Sequence, residues 1–300
     1  MPGRPGADIV QSAAVTAEFW ISQAFNGLSY GALLFLLASG LSLIFGVMRV
    51  VNLAHGSYFM LGGYVGLSVV WRTGSYVVAL VCGALAIAMI GVGMQRLFLQ
   101  RLPGQTLGQV LMTIGFALIF QDLALLIWGG DPYSIPVPQA LQGVIAVGGL
   151  RFPRYRIFII LVALVVGALL WLVLDRTRIG AIIRAAVDDA EMAGGVGIRV
   201  PRVSLAVFAL GAALAALGGV IGGGFLGVYP GADFEVLPYA FVVVIVGGLG
   251  SLPGAMVGSL LVGLLDNFGK ALFPELSYFT LFAPMALILA LRPTGLFGRA

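Results

Sequence analysis

The run IFIILVALVVGALLWLVL at residues 157–174 decides the fold of this chain. Its eighteen residues include no charged side chain, and the Trp171 indole is their only hydrogen-bonding side chain. An uncharged apolar run of about 18 residues is long enough to cross the hydrocarbon core of a membrane as an α-helix. Runs of similar character recur along the chain, and together they predict a polytopic membrane protein.

The composition of the whole chain agrees with this reading. Of its 300 residues 60% are hydrophobic and 9% are charged, whereas soluble domains carry about 25% charged residues. The mean hydropathy is +1.08. We expect an all-α fold with eight or nine transmembrane helices, including short broken helices. The nine predicted spans lie near residues 19–47, 58–71, 75–97, 107–128, 157–174, 203–226, 239–246, 255–268 and 278–291.

In the eight-span alternative, one of the short segments is re-entrant. Both arrangements give one transmembrane domain over residues 19–296. Residues 1–18 are expected to form a disordered N-terminal tail, and residues 297–300 a C-terminal tail.

Basic residues guide the orientation, because cytoplasmic loops of membrane proteins carry an excess of Lys and Arg. With nine spans and the N-terminus outside, ten of the sixteen basic residues lie inside and six lie outside. The long connection at residues 129–156 opposes this bias, since Arg151, Arg154 and Arg156 fall on its outer side. This connection is rich in proline, and a short hairpin or an amphipathic piece is expected within it.

The polar segment at residues 175–202 follows the opening run and holds five Arg, three Asp and one Glu. Apolar residues recur in it at helical spacing, which predicts one amphipathic helix over residues 180–194. Arg184 and Asp188 are spaced i, i+4 on its other side, and Gly194, Gly195 and Gly197 end it. So short a helix must lie against its own membrane domain or against a partner. We interpret the segment as a cytoplasmic loop that docks onto another protein.

Several classes of chemistry are excluded by what the sequence lacks. Lys270 is the only lysine, and no phosphate-binding loop surrounds it. His55 is the only histidine and Cys82 the only cysteine, so neither a multi-His metal site nor an intrachain disulfide can form. The pattern G-x-G-x-x-G at residues 222–227 follows no predicted strand and is attributed to helix packing. We therefore predict no catalytic residue, metal or cofactor.

Two polar breaks interrupt the apolar runs, NLAHGS at residues 52–57 and GGLGSLPGA at residues 247–255. Non-helical backbone at membrane depth is tolerated where it is buried in protein or lines a cavity, and such breaks often flank a substrate path. An ordinary cytoplasmic turn, with His55 as a helix cap, is the alternative for the first break. The candidate substrate-path residues are Asn52, His55, Gly56, Ser57, Gly248, Gly250 and Ser251.

Two carboxylates fall inside predicted spans, Asp122 in the fourth and Asp266 in the eighth. Intramembrane carboxylates usually face a partner or water, and both are close to the predicted outer ends of their helices. They leave open a rival reading, an ion-coupled secondary transporter or a channel.

The chain resembles the permease subunits of branched-chain amino-acid ABC importers, of the LivH type. Three motifs carry the resemblance, and the order and lengths of the spans extend it over residues 20–296. The motifs are Asn52-Leu53-Ala54-His55-Gly56, Arg184-Ala185-Ala186 through Gly194 to Ile198, and Gly247-Gly248-Leu249-Gly250-Ser251-Leu252-Pro253-Gly254-Ala255.

The resemblance implies a multi-pass protein of the cell inner membrane that is not an enzyme. It implies a second permease subunit, expected to form a heterodimer with this one, two cytoplasmic ATP-binding subunits and a periplasmic substrate-binding protein. The cargo would be leucine, isoleucine or valine, or in a same-family importer urea, a short amide or another amino acid. Residues 175–202 would be the loop that couples to the ATPase. The expected contact residues are Ile182, Ile183, Arg184, Ala185, Ala186, Asp188, Asp189, Gly194 and Gly197.

Overall fold

The structure, a computed structural model, describes residues 17–298, with the side chains of Ser277 and Tyr278 left aside. Helices dominate this part of the chain. The α-helices are α1 (Ala17–Met48), α2 (His55–Thr73), α3 (Tyr76–Leu97), α4 (Thr106–Trp128), α5 (Arg154–Arg176), α6 (Arg178–Asp188), α7 (Ala190–Gly195), α8 (Val200–Gly223), α9 (Ala232–Gly247), α10 (Leu252–Leu272) and α11 (Ser277–Leu291). Short 3-10 helices occupy Leu99–Arg101, Gln139–Leu141 and Pro274–Leu276.

Six of these helices are long and apolar enough to cross a membrane, namely α1, α3, α4, α5, α8 and α10. Together with the composition they confirm a polytopic helical membrane protein. Residues 1–16, most of the predicted N-terminal tail, lie outside the described residues, as do residues 299–300 of the predicted C-terminal tail. Ala17 and Glu18 belong to α1, so the tail prediction was wrong for these two residues.

A two-stranded antiparallel sheet lies in the connection between α4 and α5. Strands β1 (Val144–Val147) and β2 (Leu150–Pro153) pair with Val147 opposite Leu150. Gly148 and Gly149 join them, both at positive φ (59° and 88°), which is the backbone that a two-residue hairpin turn requires. The hairpin option predicted for residues 129–156 is confirmed.

Helix α1 is the centre of the bundle and packs against α5, α8, α9 and α10. Its residues from Gly31 to Ile44 are all buried. A Cβ added to Gly31 would meet the Ser259 carbonyl oxygen of α10, and one added to Gly40 would meet the Gly211 carbonyl oxygen of α8. Glycines therefore let these backbones approach closely, the packing expected for helices in lipid.

Helix α2 begins inside the bundle. The His55 Nε2 atom lies 2.9 Å from the Leu37 carbonyl oxygen, and Leu37 is in the middle of α1. The distance along α1 from Leu37 to Met48 is about 16 Å. The non-helical residues 49–54 can reach back at most about 20 Å when extended. This segment therefore folds back from the end of α1 to the interior of the bundle before α2 starts.

Helix α9 also begins earlier than its apolar run. The predicted spans end at residue 226 and resume at residue 239, so residues 229–238 were expected to be a polar connection, but α9 starts at Ala232 and contains Pro238. That prediction was wrong for residues 232–238. Asp233 and Glu235 lie in the first turn, where carboxylates favour a helix because they face the positive end of its dipole.

The predicted helix over residues 180–194 is divided into α6 and α7. Asp189 separates them with an extended backbone (φ −152°, ψ 100°), and its side chain accepts a hydrogen bond from the Met192 backbone N–H. Asp is among the preferred N-cap residues, so Asp189 starts a new helix instead of continuing the first. The expectation of a single helix was wrong.

Candidate functional site

A cavity of about 290 Å³ opens at one end of the bundle. The start of α1, the start of α5, the connection between α8 and α9, and the end of α10 surround it. We call it the end cavity. Its lining residues are Asn26, Tyr30, Phe59, Arg156, Phe225, Leu226, Gly227, Tyr229, Ala232, Glu235, Val236, Tyr239, Asp266, Asn267 and Lys270.

Lys270 and Asp266 form an ion pair on the α10 wall of the end cavity. The Lys270 Nζ atom lies 2.8 Å from the Asp266 Oδ2 atom, and the Asp266 side chain is only 5% exposed. The Nζ atom also lies 5.7 Å from the ring centre of Tyr30 and 5.5 Å from that of Tyr239. The Lys270 ammonium and the Asp266 carboxylate stabilise each other, and the two aromatic rings stabilise the ammonium further. These contacts offset the cost of placing charged groups in an apolar surrounding.

Arg156 and Glu235 occupy two other walls of the end cavity. The Arg156 guanidinium donates to the Asn26 side-chain oxygen and lies 4.7 Å from the centre of the Phe225 ring. The Tyr229 hydroxyl donates to the Glu235 carboxylate over 2.6 Å. Neither of these two charged residues belongs to the ion pairs seen within residues 17–298, Lys270–Asp266 and Arg184–Asp175. Arg156 and Glu235 are thus held by neutral groups and keep their charges unpaired in the described part of the chain.

The first turns of α2 and α9 meet close to the end cavity, next to its lining residues Phe59, Ala232 and Val236. The Ser57 hydroxyl donates to the Asp233 Oδ2 atom over 2.7 Å. A Cβ on Gly56 would meet the Asp233 carbonyl oxygen, so the two helix starts are in direct backbone contact. We call this contact the α2–α9 junction. Asp233 is 2% exposed, and the positive ends of two helix dipoles stabilise its buried carboxylate.

The residues of the first polar break are buried, except for the half-buried Leu53. Asn52 and His55 both have zero exposure. The Asn52 Oδ1 atom accepts from the Ala54 backbone N–H over 3.1 Å, while the Asn52 Nδ2 and His55 Nδ1 atoms have no partner among the described residues. The alternative in which His55 caps a helix was wrong in that respect, since Ala54 is the N-cap of α2 and no side chain caps it.

The second polar break lies at the opposite end of the bundle. Ser251 is the N-cap of α10, accepting from the Gly254 N–H, and its carbonyl oxygen accepts from the Ser42 hydroxyl over 3.3 Å. Gly250 lies against Gly46 near the end of α1. Gly248 is buried beside the chain's last described residues, where Phe297 N–H donates to the Gly247 carbonyl oxygen.

Helices α6 and α7 lie at that same end, which we call the loop end. Ile183 packs into a cluster with Leu43 of α1, Leu170 of α5 and Val207 of α8. Ala186 and Ala193 are also buried. Arg184 pairs with Asp175 at 3.6 Å and is largely exposed. One face of the segment is therefore fixed to the bundle.

The other side of the segment is open and carries exposed apolar residues. Ile179 and Ile182 of α6 are 61% and 38% exposed, Met192 of α7 is 67% exposed, and Val196, which follows α7, is 74% exposed. Ile182 and Ile183 were both predicted to make the docking contact, yet only Ile182 is on the open face. Asp188, Asp189, Gly194 and Gly197 are exposed as well, whereas Ala185 is half-buried.

A model of the family described as "Branched-chain amino acid transport system / permease component" matches residues 23–291. The chain belongs to this permease family. It is a membrane transport component and not an enzyme.

Known relatives of similar length support the assignment of this chain to the permease family. The high-affinity branched-chain amino acid transport system permease protein BraD of Pseudomonas aeruginosa is 30% identical, over 93% of this chain and 96% of the relative. LivH of Escherichia coli, with the same description, is 30% identical over 94% and 96%. The ribose import permease protein RbsC of Escherichia coli is 26% identical over 90% and 84%. No solved structure matches the permease.

The predicted site residues of this permease lie in two regions of the bundle. Asn52, His55, Gly56 and Ser57 lie inside it, at or next to the α2–α9 junction. Gly248, Gly250 and Ser251 lie at the loop end, as do the predicted coupling residues on α6, on α7 and directly beside α7. Sequence reasoning missed the end cavity. Asp233 falls between two predicted spans. Arg156 enters the sequence analysis only in the count of basic residues, and Lys270 only in that count and in the search for a phosphate-binding loop. The i, i+4 spacing of Asp266 and Lys270 was the available signal.

Proposed function

We propose that this permease is the membrane-spanning subunit of an ATP-driven importer in the cell inner membrane, and that it carries branched-chain amino acids. Leucine, isoleucine and valine are the expected cargo. The observation that supports this most strongly is the family match over residues 23–291, together with BraD and LivH as relatives along nearly the whole chain.

The proposed topology has nine crossings with the N-terminus outside. Residues 50–54 and α2 form the second crossing, residues 224–231 and α9 form the seventh, and α11 forms the ninth. The loop end then faces the cytoplasm with ten of the sixteen basic residues, as the positive-inside tendency favours. The end cavity faces the periplasm, and its Arg156 accounts for one of the basic residues on the outer side.

The proposed complex contains a second permease subunit, two cytoplasmic ATP-binding subunits and a periplasmic substrate-binding protein. A heterodimer of permeases is the expected form. The exposed apolar face of α6 and α7 would contact an ATP-binding subunit, so residues 175–202 form the coupling loop. The exposed coupling residues, Arg184, Asp188, Asp189, Gly194 and Gly197 among them, would surround Ile182 in this contact.

The proposed mechanism links the two ends through packed helices. Closure of the ATP-binding subunits would shift α6, and Ile183 would transmit this shift to α1, α5 and α8, which it contacts. A ligand can drive such a change only if its contacts differ between the two states. In this proposal the α2–α9 junction, with Asn52, His55, Gly56 and Ser57, closes the path next to the end cavity, and Gly248, Gly250 and Ser251 border its cytoplasmic exit.

Sugar import is a second candidate, because the ribose permease RbsC can be aligned with 90% of this chain, at 26% identity. The four charged side chains of the end cavity favour a charged cargo over a neutral sugar. Co-purification from native membranes distinguishes the candidates. We expect an ATP-binding subunit and a second permease to accompany this chain, and leucine-loaded binding protein to stimulate ATP hydrolysis. Stimulation only by a ribose-loaded binding protein, or purification of the chain alone, would contradict the proposal.

A further inference from the structure

We propose that the end cavity is a binding site for the zwitterionic head of a free amino acid, with Arg156 taking the carboxylate and Glu235 the ammonium group. The inference rests on the proposed function. It assigns cargo selection to residues of the permease itself, in addition to any selection by a binding protein.

The carboxylate half of the site is Arg156. Its guanidinium is half-buried at the start of α5 and has no ion-pair partner within residues 17–298. Asn26 and the Phe225 ring fix its position. Arg presents two parallel N–H groups to a carboxylate, and such charge-assisted pairs are among the strongest hydrogen bonds in proteins.

The ammonium half is Glu235, in the first turn of α9. Its carboxylate is oriented by the Tyr229 hydroxyl, and it too lacks an ion-pair partner in the described part of the chain. The rings of Tyr30 and Tyr239, 5.8 Å apart, line the same cavity. Both rings already face the Lys270 Nζ atom, so the ammonium group is assigned to the Glu235 carboxylate and not to the aromatic faces.

Lys270 and Asp266 do not take either role, because each neutralises the other. The Asp266 Oδ1 atom is buried and has no hydrogen-bond partner among the described residues. This oxygen is available to a donor that enters the cavity. A water molecule bound in the cavity would satisfy the oxygen, and burial of an unsatisfied acceptor is otherwise costly.

The remaining wall suits an apolar side chain of modest size. Phe59, Leu226 and Val236 line it. The volume of about 290 Å³ is at the small end of ligand sites, which span about 300–1,000 Å³. The cavity thus combines two opposite unpaired charges with an apolar surface, as the zwitterion of a branched-chain amino acid requires.

The test uses the transporter complex purified from native membranes in nanodiscs, with radiolabelled leucine as the probe. Competitors are leucinamide, which lacks the carboxylate, and 4-methylpentanoate, which lacks the ammonium group. For the wild type we expect both to compete at least about tenfold more weakly than unlabelled leucine. Arg156→Gln should weaken leucine binding about tenfold and abolish the preference over leucinamide, and Glu235→Gln should abolish the preference over 4-methylpentanoate.

Matched controls are Arg154→Gln and Glu275→Gln, which remove exposed charges that do not line the cavity. We expect both to leave binding and discrimination unchanged. If all four variants and the wild type bound leucine equally and preferred it equally over leucinamide and 4-methylpentanoate, the inference would be overturned. The proposed function, leucine import, would still stand. If the wild-type complex neither binds leucine nor hydrolyses ATP in response to it, the proposed function itself fails.

Discussion

The Ser57 hydroxyl and the Asp233 carboxylate are joined by a 2.7 Å hydrogen bond that connects the first turns of α2 and α9. Both residues are buried; the hydroxyl donates to the Asp233 Oδ2 atom, and the Oδ1 atom has no hydrogen-bond partner among the described residues. Two helices that start inside the bundle are therefore held together by one charged group and one hydroxyl, close to the end cavity.

Replacement of Ser57 by Ala tests how much this hydrogen bond contributes to the stability of the protein. The buried carboxylate would lose its hydroxyl donor, and we expect the free energy of unfolding to fall by about 1–3 kcal/mol. A thermal melt of the purified protein measures the change. Ser39→Ala is the matched control, because Ser39 is equally buried but its hydroxyl bonds only to Leu36 of its own helix. Equal melting temperatures for the two variants would contradict the assigned role of Ser57.

Close approach of α2 and α8 gives a second prediction. A Cβ on Gly219 would meet the Phe59 carbonyl oxygen, which is backbone and cannot move aside alone. Gly219→Ala should force the helices apart and lower stability by about 3 kcal/mol or more. Gly115→Ala in α4 has no atom within 4 Å of the new Cβ and should be tolerated. Yields of folded protein after detergent extraction compare the two, and a well-folded Gly219→Ala variant would refute the described packing.

The two neighbouring isoleucines of α6 should behave differently. Ile182 is on the open face, so Ile182→Asp should prevent productive docking and reduce transport at least about tenfold, with membrane insertion and thermal stability preserved. Ile183 packs against the bundle, so Ile183→Asp buries a charge and should also lower stability. Transport assays and thermal melts of both variants separate the effects. Normal uptake by Ile182→Asp would exclude the open face of α6 as the coupling surface.

The cap of α7 gives a smaller, graded prediction. Asp189→Ala removes the acceptor for the Met192 backbone N–H and should destabilise the short helix by about 0.5–2 kcal/mol. Because an Asn side chain can also accept this hydrogen bond, Asp189→Asn should leave the stability of α7 close to that of the wild type. Hydrogen exchange of the α7 amides reports the change directly. If the α7 amides of both variants exchanged at the wild-type rate, the Asp189 cap would not be the cause of the break between α6 and α7.

Apolar periodicity was enough to predict the long helices, since burial in lipid leaves a chain few alternatives. It failed at the start of α9, because the carboxylates Asp233 and Glu235 interrupt the apolar pattern there. The first turn of a helix tolerates carboxylates, and Asp233 is stabilised by Ser57, which is distant in sequence. Likewise, the run of alanines and isoleucines predicted one coupling helix, but the capping preference of Asp189 outweighed that periodicity.

The candidate site was less accessible to sequence reasoning for a physical reason. Arg156, Glu235 and Lys270 come from three helices and meet only when the bundle is assembled. Each of them, considered alone, resembles an ordinary charge near a membrane surface. The buried break around His55 was predicted correctly as a discontinuity, because polar residues between two apolar runs must be satisfied inside the protein.

ATP-dependent uptake of radiolabelled leucine into proteoliposomes that contain the purified complex tests the central claim most directly. The proposal that this permease carries branched-chain amino acids predicts leucine accumulation that requires ATP and the binding protein and that is reduced by isoleucine and valine but not by ribose. Accumulation of ribose instead of leucine, or leucine uptake driven by an ion gradient without ATP, would contradict it.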